Sequence, residues 1–126
     1  MGCRGQNVKR TGMKSKIHRA TVTRAEVDNE GSCSIDPALM LQADVAVGEQ
    51  VHIVNVSNGS RAVTYAIEGA AGEIALNGAM AHIGSPGDLI ILITYAQIDE
   101  TELASFAPRV VSVDAANRPR QQAVAH

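Results

Sequence analysis

Short runs of β-branched and apolar residues, each closed by a Gly, Asn or Pro turn signal, constrain this chain more than any other feature. Val51 to Val56 and Arg61 to Ile67 flank Ser57-Asn58-Gly59-Ser60, and Asn-Gly supplies the positive-φ pair of a tight hairpin. Leu89 to Tyr95 is continuously apolar except for Thr94, the pattern of a strand buried on both faces. Lys16 to Val27 carries β-branched residues at Thr21, Val22 and Thr23 and reads as a strand, as do Ile74 to Asn77 and Arg109 to Val113. Asp28 to Ser32 reads as a tight turn, Gly84 to Asp88 as a loop and Asp99 to Ser105 as a helical turn or two. Asp36-Pro37 starts a helix, because Asp caps free N–H groups and Pro suits the first helical position; Ala38 to Ala43 completes it. Many short strands with turns between them predict a mainly β, small closed structure.

With 126 residues and 45% hydrophobic content, the chain supports one domain around one core. One Phe, two Tyr and no Trp leave Val, Ile, Leu, Ala and Met to build that core. A net charge of −2 with so few stacking rings argues against a nucleic-acid partner. Cys3 and Cys33 are too few for a disulfide framework and predict a reducing, cytoplasmic setting. No apolar run has the form of a signal peptide or a bilayer span, so no membrane role is expected. Asn55-Val56-Ser57 and Asn58-Gly59-Ser60 fit a glycosylation pattern but read here as turn chemistry. Residues 1–12 are basic and aperiodic and read as a flexible leader ahead of a natural start at Met13; residues 13–114 read as the domain and 115–126 as a disordered tail.

Against that background the Gly31-Ser32 step draws attention. Alone it is a common turn dipeptide. A residue without Cβ at position 31 leaves the approach to its carbonyl open and tolerates strain. Five further segments surround it at compatible spacing: Lys16-Ile17-His18-Arg19, Asp28-Asn29-Glu30, Cys33-Ser34-Ile35-Asp36, Arg61-Ala62-Val63-Thr64-Tyr65 and Asn77-Gly78-Ala79-Met80-Ala81-His82. In that order, over Met13 to Val113, the set resembles the pyruvoyl-dependent aspartate 1-decarboxylases.

The resemblance implies a six-stranded double-psi β-barrel with short helices, assembled as a homotetramer with sites between subunits. It implies a zymogen in which peptide becomes ester at Gly31-Ser32, elimination leaves dehydroalanine, and hydrolysis releases ammonia and leaves a pyruvoyl group at residue 32. That group would form a Schiff base with L-aspartate and act as electron sink for its decarboxylation to β-alanine, a carboxy-lyase reaction of pantothenate and coenzyme A synthesis. No metal is expected. Nor is PLP, since no Lys sits in a phosphate-loop context.

Residue by residue, Arg61 offers a planar fork for one substrate carboxylate and Lys16 a second cation, although each is commonly just a solvated strand residue. The pair argues against a substrate with an uncharged side chain. His18 shares a strand face with Lys16 and is a further pocket candidate. Thr64 is the candidate oxyanion donor during cleavage and also a substrate contact, and Tyr65 the candidate proton donor to the carbanion. As neighbours on a strand these two point to opposite faces, which needs an irregular strand or a site between subunits. Asn77, Gly78, Ala79 and Met80 would line the pocket, small residues giving access to backbone N–H groups and Asn77 orienting the pyruvoyl group. Met80 stands where relatives commonly have Ala, and Asn29 where an aromatic residue is common. Two alternatives stay open: a non-catalytic small β-barrel, and a self-cleaving enzyme for another small amino acid. A maturation factor assisting cleavage is also left open.

Overall fold

The computed structural model describes residues 8–120. Eight strands form: β1 (Lys9–Thr21), β2 (Arg24–Glu26), β3 (Ser32–Ile35), β4 (Gln50–Asn55), β5 (Arg61–Glu68), β6 (Ile74–Asn77), β7 (Leu89–Asp99) and β8 (Arg109–Ser112), with one α-helix, α1 (Pro37–Ala43). They join in one sheet of order β2-β6-β3-β5-β4-β7-β1-β8. The mainly β class expected from sequence is what forms. Two strands exceed the expected six. β3 is polar and short, and is a strand because β5 and β6 pair with it on either side. β2 arises because Lys16 to Val27 is not continuous. Val22 N–H bonds Asp88 C=O and Thr23 N–H bonds Ile74 C=O, which pulls the chain out of β1 before β2 begins.

One core unites the sheet. Ile17, Cys33, Ile35, Val51, Ile53, Ala66, Leu76, Ile90, Leu92 and Val111, from seven of the strands, belong to a single buried cluster with Leu39, Met40 and Ala43 of α1. Residues from β8 at one end of the sheet and β6 near the other share that cluster, so the sheet curls about it in a barrel-like form. No aromatic residue enters it; Tyr65, Tyr95 and Phe106 all stay at the surface. The helix begins as read from sequence: Asp36 Oδ1 accepts from Ala38 N–H at 2.8 Å and Pro37 occupies the first turn.

Four expectations change. The leader does not extend to residue 12: Lys9 to Gly12 pair with Asp99 to Ala96 in β1–β7, while residues 1–7 lie outside the described residues. The tail does not begin at residue 115. Asn117 is buried and ties three segments together, its Oδ1 accepting from Thr21 N–H and its Nδ2 donating to the carbonyls of Thr21 and Gly72. Residues 121–126 lie outside the described part. The β4–β5 hairpin forms, but only Gly59 has positive φ; Asn55 organises a longer connection by accepting Ser57 and Asn58 N–H on its Oδ1. Finally, β7 is not buried on both faces: Ile90, Leu92 and Thr94 are buried, whereas Leu89, Ile91 and Ile93 are half-covered.

Candidate active site

The Gly31-Ser32 step lies at the mouth of β3. β3 alternates: Cys33 and Ile35 face the core, and Ser32 and Ser34 face the other side of the sheet. Antiparallel register sets Ser32 opposite Asn77, the last residue of β6. Asn77 Nδ2 donates to Ser32 Oγ at 3.0 Å and to Ser34 Oγ at 2.9 Å, and the Ser32 hydroxyl donates to the Glu30 carbonyl at 3.2 Å. Asn77 Oδ1 is buried without a hydrogen-bond partner. Ser32 is 2% exposed although it sits on the sheet's outer side. The segment before it and the turn after β6 cover it.

That turn depends on Gly78. Its φ is +64°, and a Cβ built there would lie 2.7 Å from the Gly31 nitrogen and Cα and 2.8 Å from the Asn29 carbonyl oxygen. Gly78 is therefore seated directly against the backbone of the Gly31-Ser32 step. Gly31 itself has open space around the Cβ position apart from its chain neighbours, and no positive φ. Packing thus demands a glycine at residue 78 as well, a position the sequence reading singled out only for substrate access.

A cavity of about 370 Å³ opens here, lined by Ser32, Ser34, Tyr65, Asn77, Glu30 and Arg24 among others. Tyr65 is 36% exposed. Arg24 is paired with Glu73 at 3.0 Å. Next to Ser32, burial pushes the Cys33 thiol up to about 12, so it is an inert core group.

The other sequence candidates lie elsewhere. Register places Lys16, Ile93, His52 and Val63 side by side across β1, β7, β4 and β5. Paired residues share a face, so Lys16, His18, Arg61 and Tyr65 all stand on the outer face. Thr64, opposite the fully buried Val51, is on the core side and does not line the Ser32 cavity. Lys16 and His18 instead line a separate cavity of about 540 Å³ with Met13, Pro108, Val110 and Ser112. Burial and the charges of Lys16 and Arg19 hold the His18 imidazole below its usual range. Arg61 is exposed at the start of β5. Ala79 is exposed and Met80 packs on the core, so neither lines the cavity. Ser34 was missed from sequence; its signal was the two-residue spacing from Ser32 within a strand.

The family model for aspartate decarboxylase matches residues 8–120. The chain belongs to that family. The match begins and ends where the described structure does, so in this aspartate decarboxylase family member the β1 extension and the Asn117 segment are parts of the family domain. No helix among the described residues is long and apolar enough to cross a membrane. Among them, too, no three His, Cys, Asp or Glu side chains converge as metal ligands.

Proposed function

We propose that this family member is a proenzyme that cleaves itself between Gly31 and Ser32, converts Ser32 into a covalent pyruvoyl group, and decarboxylates L-aspartate to β-alanine and carbon dioxide. The observation that carries the reading is the buried Ser32 hydroxyl, held between the Asn77 amide and the Glu30 carbonyl, one residue from the Gly31 carbonyl it would attack. A group formed at residue 32 fits this environment: Asn77 is already aimed at that position and retains a buried, unpaired Oδ1 for a new donor.

A pyruvoyl group at residue 32, which Asn77 would hold, would supply a ketone for the substrate amine and an electron sink for decarboxylation. The chain's own residues do the rest. Asn77 holds residue 32 in place. Tyr65, which lines the same cavity, returns a proton to the substrate carbon. Arg61 and Lys16 hold the two substrate carboxylates, with His18 beside Lys16. Thr64 serves as donor to the Gly31 carbonyl during cleavage, the one assignment that strand geometry within one chain does not favour.

Assembly follows from where the cations stand. Three inter-strand steps, about 14 Å, separate the Lys16 row position on β1 from β5, and curvature spreads outward-facing residues further. This separation supports a reading in which Lys16 and His18 of one chain serve the Ser32 site of another, in a homotetramer with sites between subunits. The half-covered Ile91 and Ile93 and the exposed Val63 on that face suit such a contact. The setting is cytoplasmic and the product enters pantothenate and coenzyme A synthesis.

Intact-mass spectrometry of the denatured protein tests the reading. Expected are fragment 1–31 and fragment 32–126 bearing an N-terminal pyruvoyl group, with aspartate-dependent carbon dioxide release. A chain that stays whole and inactive after prolonged warming, with or without cell extract supplying a maturation factor, would establish the non-catalytic barrel instead.

A further inference from the structure

Ser34 has no part in the chemistry outlined above, yet it is a polar side chain, 4% exposed, on a strand whose every residue is buried. An apolar residue would fill such a place at lower cost. Its hydroxyl accepts one of the two Asn77 Nδ2 protons at 2.9 Å, and Ser32 accepts the other at 3.0 Å. The amide thereby presents its NH₂ group to both serines and leaves Oδ1 without a partner. An unpaired buried carbonyl is unfavourable, and the orientation that carries it persists because two acceptors, not one, hold the NH₂ side. The result is a directed chain: Ser34 Oγ accepts from Asn77, Asn77 donates to Ser32 Oγ, and the Ser32 hydroxyl donates to the Glu30 carbonyl. It places the Ser32 proton on a main-chain oxygen, away from the Asn77 side.

We infer that Ser34 is a positioning residue for self-cleavage, acting through Asn77 to hold the Ser32 oxygen ready to attack Gly31 without a partner protein. The inference rests on the self-cleavage reading above. The step is an isomerisation. Ser32 Oγ bonds to the Gly31 carbonyl carbon, the C–N bond to Ser32 breaks, and the hydroxyl proton ends on the Ser32 nitrogen, leaving an ester and an amine with no co-reactant. What Ser34 contributes is the lone-pair direction of the attacking oxygen. Without its acceptor, one Asn77 N–H is stranded and the amide is free to turn.

Three variants of the full chain decide it, each purified without other proteins and followed by intact mass at one temperature, with thermal midpoints recorded alongside. Ser34→Ala is expected to cleave about tenfold more slowly, the effect of one lost hydrogen bond. Ser34→Thr, which keeps the hydroxyl, is expected to restore most of the rate. Combining Ser34→Ala with Asn77→Ala is expected to slow cleavage no more than Asn77→Ala alone, because the two residues act as one unit. A Ser34→Ala chain that cleaves at the wild-type rate overturns the inference. So does a double variant whose losses multiply, since Ser34 would then act independently of Asn77. If Ser34→Ala does not fold, the Thr variant still decides: a folded Ser34→Thr chain that cleaves as poorly as Asn77→Ala shows that the hydroxyl is not what matters. Failure of the wild-type chain itself to cleave refutes the underlying reading, an outcome distinct from any of these.

Discussion

At the scale of single residues, the site is defined by what lies within hydrogen-bond or contact distance of one peptide bond. Gly78 is pressed on the Gly31 backbone at a positive φ, so Gly78→Ala must displace the scissile step as well as strain its own backbone. Self-cleavage should fall about a hundredfold or more, the usual consequence of misplacing reacting atoms by about 1 Å. Intact mass against time measures it, and wild-type kinetics in that variant would remove Gly78 from the role. Thr64 poses the opposite question. It was singled out with Tyr65 because the two stand together in the family-like segment, yet Tyr65 lines the Ser32 cavity and Thr64 faces the core beside Val51. Strand alternation made that conflict legible from sequence. If Thr64 is the donor to the Gly31 carbonyl, Thr64→Ala should lower the cleavage rate severalfold or more; an unchanged rate would assign the donor elsewhere.

At the scale of elements, the fold is held by buried asparagines where strands end. Asn117 joins the end of β1 and the turn before β6 to the chain after β8. Asn117→Ala leaves a buried donor and acceptors unpaired and should destabilise the fold by roughly 3 kcal/mol, read as a lower urea midpoint. A change within about 0.5 kcal/mol would show that this segment contributes nothing, as its polar, turn-like sequence suggests. The loop before β7 has a titratable counterpart. Asp88 accepts from Ser85 N–H and from Asn55 Nδ2, and these bonds hold its carboxyl below the ordinary value of 3.8. A depressed carboxyl stabilises the fold above its unfolded value, and that contribution disappears as pH falls through the folded value. Asp88→Asn should therefore be less stable than wild type at neutral pH, the difference closing in acid. Urea midpoints across pH 7 to pH 2 test this, and a constant difference would exclude the linkage.

At the scale of the whole molecule, the arrangement of cations predicts shared sites. A Lys16→Ala chain retains Ser32 and should cleave, yet be nearly inactive. A Ser32→Ala chain cannot cleave but keeps Lys16. Co-expressed, the two should recover a substantial share of decarboxylase activity if Lys16 of one copy serves residue 32 of another. No recovery in a mixed assembly confirmed by native mass would assign Lys16 to the Ser32 site of its own chain.

The sequence by itself determined the class of fold, the helix start at Asp36-Pro37 and the centre of the candidate site at Ser32. Each rests on local signals: β-branched runs, a capping pair, and a Gly-Ser step in a recognisable neighbourhood. It also pointed to an aliphatic core, because one Phe, two Tyr and no Trp leave little else to build one. Only the tertiary structure decided what depends on partners distant along the chain. β3 is a strand because β5 and β6 flank it, and Asn117 is structural because Thr21 and Gly72 converge on it. Gly78 must be glycine because the turn after β6 comes to rest on the backbone of Asn29 and Gly31. Such contacts join residues tens of positions apart, and no periodicity or propensity within a local window encodes them.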